Sequence, residues 1–230
     1  MPRPMQLTPA LVARVPPHCG QSGLLADRDD RPTEAEYAQA AAGLLQDRPH
    51  SGEVWVFAYG SLIWNPDVPV AEERMATVHG WHRAFCLGWV TLYRGTPERP
   101  GVMLALDRGG ACRGVVFRLP PGSETAHVLT LLRREMPIRH PDPPARWLTA
   151  QTAQGPVRAI AFPISRRSEM YLSGLTEDQV VHALSTACGE RGSMAEYLYN
   201  TVRHLEDRGI HDRYLWRLQA LVADRLSALA

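Results

Sequence analysis

The stretch VFAYGSLIW, residues 56–64, decides the reading of this chain. Val54, Val56 and Ala58 alternate with Trp55, Phe57 and Tyr59, so EVWVFAY reads as a strand with both faces apolar. The run breaks at Gly60 and Ser61, returns to Leu62, Ile63 and Trp64, and meets a proline turn at Asn65-Pro66-Asp67. Glycine lets backbone approach a ligand without a Cβ in the way. Successive free N–H groups at such a bend form an anion-binding nest, and the Ser61 hydroxyl adds a donor. Tyr59-Gly60-Ser61-Leu62 is therefore the first candidate binding loop, although a simple turn would use the same residues.

The pattern stays strand-like to about residue 119. ATVHGWHRAFCLGWVTLY is long, aromatic and punctuated by glycine, as expected of a strongly bent strand or barrel wall. GVMLALDR and CRGVVFRL read as two strands joined by a GGA turn, and Pro120-Pro121-Gly122 closes the block. A helix is predicted over 124–135, buried through Val128, Leu131 and Leu132 and stopped by Pro137. RWLTAQT and VRAIAFPI read as a hairpin around QGP. The remainder reads as helical, with capping boxes at Thr176/Gln179 and Ser193/Glu196, a stop at Gly209 and a final amphipathic helix, DRYLWRLQALVADRLSAL. Upstream, residues 1–32 read as poorly ordered apart from a short apolar patch at Leu11-Val12. A capping box at Thr33/Glu36 starts one helix before the first strand. The class is α+β, with an N-terminal extension of one helix over 1–50 and a main domain over 51–230.

The chain has 230 residues, a formal net charge of +1, and 45% hydrophobic and 21% charged residues. That balance gives no bulk electrostatic reason to bind nucleic acid or a membrane surface. No apolar run is long enough to span a bilayer, and the N-terminus lacks the apolar core of a signal peptide. Cys19, Cys86, Cys112 and Cys188 form no CxxC pair and the nine histidines are scattered. These are expected to be reduced thiols of a cytoplasmic protein, with no metal site.

Three further candidates carry chemistry. Glu135 lies where a helix ends against Pro137, and carbonyl groups there disfavour an ionised carboxyl. Burial would push its pKa further up, toward the range useful for moving protons, while Arg133 and Arg134 would oppose that if close. Arg83 on the presumed strand and Arg94 in the RGTP turn are possible clamps for a substrate carboxylate. Tyr171 and Tyr197 present polar tips on apolar bodies. No GxSxG elbow, Walker loop or dinucleotide fingerprint is present. Ser61 has His79 and His82 nearby in sequence, but no helix follows YGSL to make a nucleophile elbow.

In ordered blocks the chain resembles the ChaC-type glutathione-specific gamma-glutamylcyclotransferases. The blocks are FAYGSLIWNPD, GWHRAFC, RGTPERPG, CRGVVFRLP, RREM, RWL, YLSGL and a C-terminal EYLYNTVRHLEDRGIHDRYLWRL. The resemblance implies a small mixed β-barrel flanked by helices, with C-terminal helices and no cofactor. It implies cleavage of glutathione to 5-oxoproline and Cys-Gly. Glu135 would be the catalytic acid and base. Tyr59, Gly60, Ser61 and Leu62 would form the binding loop, with Tyr171 at the family's Tyr-Leu-Gly step. Two departures stand out: PIRHPDPP follows the REM block, and YLSGL carries an extra Ser. The alternatives are a cyclotransferase for another γ-glutamyl amide or amine, and a non-catalytic γ-glutamyl-binding regulator of a transporter.

Overall fold

The computed structural model describes residues 4–16, 30–49, 52–139, 142–143 and 145–228. Two compact units share the chain, one holding Arg28–Ala84 and Ala105–Ser168, the other Met1–Asp27, Phe85–Leu104 and Glu169–Ala230. In chain order the elements are α1 (Pro9–Val12), α2 (Glu34–Gln46), β1 (Trp55–Ala58), β2 (Glu72–Val90), β3 (Gly101–Arg118), α3 (Glu124–Glu135), β4 (Arg146–Thr152) and β5 (Gly155–Ala161). They continue with α4 (Glu177–Thr186), β6 (Cys188–Gly189), β7 (Gly192–Ser193), α5 (Met194–Glu206) and α6 (Arg213–Ser227).

The first unit is organised by a closed barrel in the order β1-β3-β2-β4-β5. β1 runs antiparallel to β3, with Ala58 opposite Val115, and parallel to β5, with Trp55 opposite Ala159. β4 lies antiparallel to β2, Val78 opposite Ala150, and antiparallel to β5, Arg146 opposite Ala161. The sheet is therefore mixed, and closure removes the exposed edges an open sheet would leave. Inside, Trp55, Phe57 and Tyr59 of β1 share a core with Ala150, Ala159 and Ala161. Large side chains from one strand thus meet small ones from others, which fills a narrow barrel at normal packing density. Gly114 shows how tight this is: a Cβ there would lie 2.4 Å from the Ala58 carbonyl oxygen.

β3 corrects the two-strand reading of 101–119. Gly109 and Gly110 take φ of +106° and +67°, conformations open to glycine, and the strand bends without ending. α3 occupies the predicted residues and buries Val128, Leu131 and Leu132. α2 starts at the Thr33/Glu36 capping box and packs on α3, where the Tyr37 hydroxyl donates to the Met136 carbonyl.

The second unit gathers α4, α5 and α6, packed against one another. α1 joins them, which corrects the expectation of disorder for residues 4–16. Leu7 is fully buried, and the Gln219 side-chain oxygen accepts from the N–H groups of Gln6 and Leu7. The same expectation for 17–29 lies outside the described residues. The hairpin β6–β7 interrupts what reads as uniformly helical sequence, because two-residue strands leave no periodicity to detect. Thr176/Gln179 forms a full capping box. Ser193 caps α5 as expected, but the Glu196 side chain turns to Arg94, 3.1 Å away, so that box is half made. Cys86 and Cys112 are buried and carry no disulfide, whereas Cys188 is disulfide-bonded, against the expectation of four reduced thiols. No CxxC spacing in the sequence reveals it. Among the described residues no helix is long and apolar enough to cross a membrane.

Candidate active site

Tyr59 is anchored at both ends. Its carbonyl accepts from Arg83 Nε at 2.6 Å and its hydroxyl donates to the Phe162 carbonyl at 2.9 Å. Arg83 is buried, and its Nη2 donates to the Arg113 carbonyl. The candidate carboxylate clamp on β2 therefore spends these donors on backbone and fixes the end of β1. After Gly60 the chain makes one 3-10 turn, Ser61–Ile63, pinned by the buried side chains of Leu62 and Ile63. The N–H of Ile63 closes it onto the Gly60 carbonyl, and those of Trp64 and Asn65 onto the Ser61 carbonyl. The N–H groups of Ser61 and Leu62 open the turn and lie outside these bonds, as the first donors of a helical turn do.

Glu135 reaches the same place from the other direction. α3 ends at Glu135, with Met136 N–H bonded to the Leu132 carbonyl and Pro137 next in the chain. Arg134 ties it to the turn. It donates from Nη2 to Ser61 Oγ at 2.8 Å, from Nη1 to Asp67 Oδ2 at 2.6 Å and to the Asn65 carbonyl, and its Nε lies 3.1 Å from Glu135 Oε1. Asp67 holds φ of +56°, which its short polar side chain tolerates in a turn. The Glu135 side chain is 22% exposed, yet protein surrounds it deeply enough that burial dominates its charge state. Burial raises its pKa above the ordinary glutamate range. Arg134 pulls the other way, and the charge on Asp67 adds to the rise. The result is a carboxyl that binds its proton more readily than a surface glutamate while keeping a cation at hand.

Arg134 and Asp67 are the residues the sequence reading misses as parts of the site. A signal existed. Arg134 and Glu135 fall three and four places after buried Leu131, on the helix face directed inward, while Arg133 points off it. In the structure Arg133 is 46% exposed and pairs with Glu34, and Arg134 is 13% exposed. The chain beyond Glu135 is also held. Arg139 donates to both Glu36 carboxylate oxygens, and its N–H donates to the Asp30 carbonyl.

Arg94 and Tyr171 belong to the other unit. Arg94 Nη1 donates to the Ser193 carbonyl at 2.8 Å and to Glu196, and its guanidinium lies over the Tyr197 ring. Tyr171 bridges to Leu87 beside β2. Tyr59, Gly60, Ser61, Leu62, Arg83 and Glu135 share one unit, and the contacts above link them. The Ser61 hydroxyl accepts from a cation, and His82 makes its ring contact with the Gly109 carbonyl instead. That is poor preparation for a serine nucleophile, which needs a base to take its proton. Among the described residues no group of three or more His, Cys, Asp or Glu is placed to hold a metal ion.

A family described as ChaC-like protein matches residues 54–225. The glutathione-specific gamma-glutamylcyclotransferase of Escherichia coli is 38% identical over 176 residues, 76% of this chain and 75% of that one. The human glutathione-specific gamma-glutamylcyclotransferase 1 is 30% identical over 149 residues, 63% of this chain and 66% of that one. A crystal structure of the yeast gamma-glutamyl cyclotransferase specific to glutathione superposes with a TM-score of 0.67 at 20% identity, covering 75% of this chain and 96% of that one. The last likeness carries the fold alone.

Proposed function

The chain belongs to the ChaC-like family, and on that premise we propose that it is a glutathione-specific gamma-glutamylcyclotransferase with Glu135 as its proton carrier. The observation that carries the reading is the coupling of a proton-retaining carboxyl, Glu135, through Arg134 to the Ser61 turn. The identity to the E. coli enzyme supports glutathione as the substrate.

The chemistry needs no external nucleophile. The α-amine of the γ-glutamyl residue attacks its own γ-carbonyl and closes a five-membered ring. Holding that geometry supplies much of the rate. Glu135, ionised, takes the proton that the amine sheds as its C–N bond forms. The tetrahedral oxyanion is met by the free N–H groups of Ser61 and Leu62. Glu135 then gives its proton to the cysteinyl nitrogen as that C–N bond breaks, releasing 5-oxoproline and Cys-Gly. A pKa raised by burial suits a group that must both accept and return a proton. Arg83, through the Tyr59 carbonyl, fixes the strand end from which the turn departs. Arg94 and Tyr171, in the other unit, have no part in these steps. A cytoplasmic setting belongs to the same proposal; the unbridged thiols of Cys86 and Cys112 support it, and the disulfide at Cys188 counts against it.

Incubation with glutathione and mass detection of the products tests this. The expected outcome is equimolar 5-oxoproline and Cys-Gly, with turnover reduced ~10²–10⁴-fold in Glu135→Gln. Intact glutathione after incubation, or a folded Glu135→Gln protein of wild-type activity, overturns the respective half of the proposal.

A further inference from the structure

Two cations at the barrel end have no role in the chemistry above. Arg146 opens β4, where Leu148 and Ala150 face the barrel core. Strand alternation places Arg146 on that same face, one step further out. Its Nε is buried and has no hydrogen-bond acceptor. Its guanidinium lies 5.8 Å from the centre of the Trp81 ring, and that of Arg108 lies 5.9 Å from the same centre. Arg108 follows core residue Leu106 by two places on β3 and is exposed. Among the described residues neither guanidinium has a carboxylate partner. The adjacent Asp107 carboxylate is taken by Arg166, which grips it at 2.8 and 3.0 Å.

The register places this cluster at the mouth beside the candidate site. Arg146 is opposite Ala161 on β5, and the next residue, Phe162, receives the Tyr59 hydroxyl. The Ser61 turn therefore leaves the barrel at the end where Arg146 enters it. A buried guanidinium nitrogen without an acceptor is costly, and two cations facing one ring repel each other. An anion at Arg146 gives the buried nitrogen an acceptor and offsets the charge of both cations.

We propose that Arg146 and Arg108, over Trp81, bind a carboxylate of the γ-glutamyl tripeptide substrate. The assignment rests on the reading under Proposed function. Glutathione offers two carboxylates, one on the γ-glutamyl α-carbon and one on the glycine.

Affinity is measured by calorimetry on Glu135→Gln, which holds substrate without consuming it, with and without Arg146→Gln. The ligands are glutathione, its glycine amide and 4-aminobutyryl-Cys-Gly, which lacks the α-carboxylate. KM and kcat on glutathione are measured in the otherwise wild-type protein. Loss of a charge-assisted pair weakens binding about tenfold or more, so KM rises by that factor while kcat stays within about threefold. Arg146→Gln costs nothing further with the analogue whose missing carboxylate is the bound one, which identifies the source. The apo variant melts at or above the wild type, because a buried N–H without an acceptor has been removed. Unchanged affinity for glutathione, or an equal loss with all three ligands, overturns the assignment while leaving the cyclotransferase reading intact. A protein that neither binds nor cleaves glutathione overturns both.

Discussion

The Arg134 guanidinium lies 3.1 Å from the carboxylate of Glu135, its neighbour in the chain. The same cation reaches Ser61 Oγ at 2.8 Å, so one side chain acts on both the charge state of the proton carrier and the binding turn. Removing it separates these effects. Burial already raises the Glu135 pKa and Arg134 opposes the rise, so Arg134→Gln lets it climb further. The ionised base then appears only at higher pH. The acid limb of kcat is expected to move upward, with about tenfold less activity on that limb for each unit of displacement. A profile unmoved by Arg134→Gln removes Arg134 from the site.

Glu135 should also leave a mark on stability. Its folded-state pKa is raised from 4.5, so its contribution is fully present below that value and is lost as pH rises through the folded value. Ionising it in place works against the fold. Glu135→Gln is expected to match the wild type in Tm below pH 4.5 and to exceed it above the titration. A Tm difference that does not change with pH contradicts the burial argument.

Tyr59→Phe is expected to act on the fold more than on the chemistry, because its hydroxyl donates to the Phe162 carbonyl within buried structure. Losing that donor costs ~1–3 kcal/mol, or roughly 2–12 °C in Tm for a chain of this size. Steady-state kinetics should keep kcat within several-fold. A kcat lowered a hundredfold at unchanged Tm would place the hydroxyl on substrate instead.

Acid should loosen the segment after the candidate base. The Glu36 pKa is lowered to about 2, first by its hydrogen bond to Arg139 and next by those to Thr33. A depressed carboxyl gives stability that is present above 4.5 and lost as pH falls toward about 2. Both side chains are well exposed, so added salt weakens the pair. Urea midpoints across that window should fall less steeply for Glu36→Gln than for the wild type. Equal slopes would show that the tether from α2 to Arg139 contributes nothing.

Much of this was legible in the sequence where local rules act. The α3 span, the Thr33 and Thr176 caps and the Gly209 stop follow from capping and periodicity, which need only near neighbours. YGSL pointed to the loop because glycine after a buried strand is a local signal. What escaped was set by partners distant in sequence. Ser61 and Arg134 meet across the fold, as do Arg83 with the Tyr59 carbonyl and Leu7 with Gln219. No spacing encodes such contacts. They arise when the barrel closes and brings strand ends together. Arg83 illustrates the cost. Its residue type suggested a ligand clamp, and only the folded register shows its Nε spent on Tyr59. PIRHPDPP likewise read as a departure beside Glu135, whereas Arg139 within it is held by the cap of α2.

The nucleophile distinguishes the proposed reaction from ordinary hydrolysis. Cyclisation uses the α-amine of the γ-glutamyl residue, and acetylation delocalises that lone pair. N-acetyl glutathione is therefore expected to remain intact, at least ~10²-fold slower than glutathione, the scale on which loss of a positioned reacting group is felt. A hydrolase using Ser61 would attack the γ-carbonyl itself, transfer its acyl group to water and release glutamate from glutathione or N-acetylglutamate from the blocked form. The geometry argues for the first course, since the Ser61 hydroxyl accepts from Arg134 at 2.8 Å and its contact with a cation does nothing to remove its proton. Mass analysis of both reactions at early times decides the matter. 5-Oxoproline from glutathione with no product from the acetylated form keeps Glu135 as the proton carrier. Glutamate as the first product, or N-acetylglutamate in any amount, moves the chemistry to Ser61 and leaves Glu135 a supporting charge.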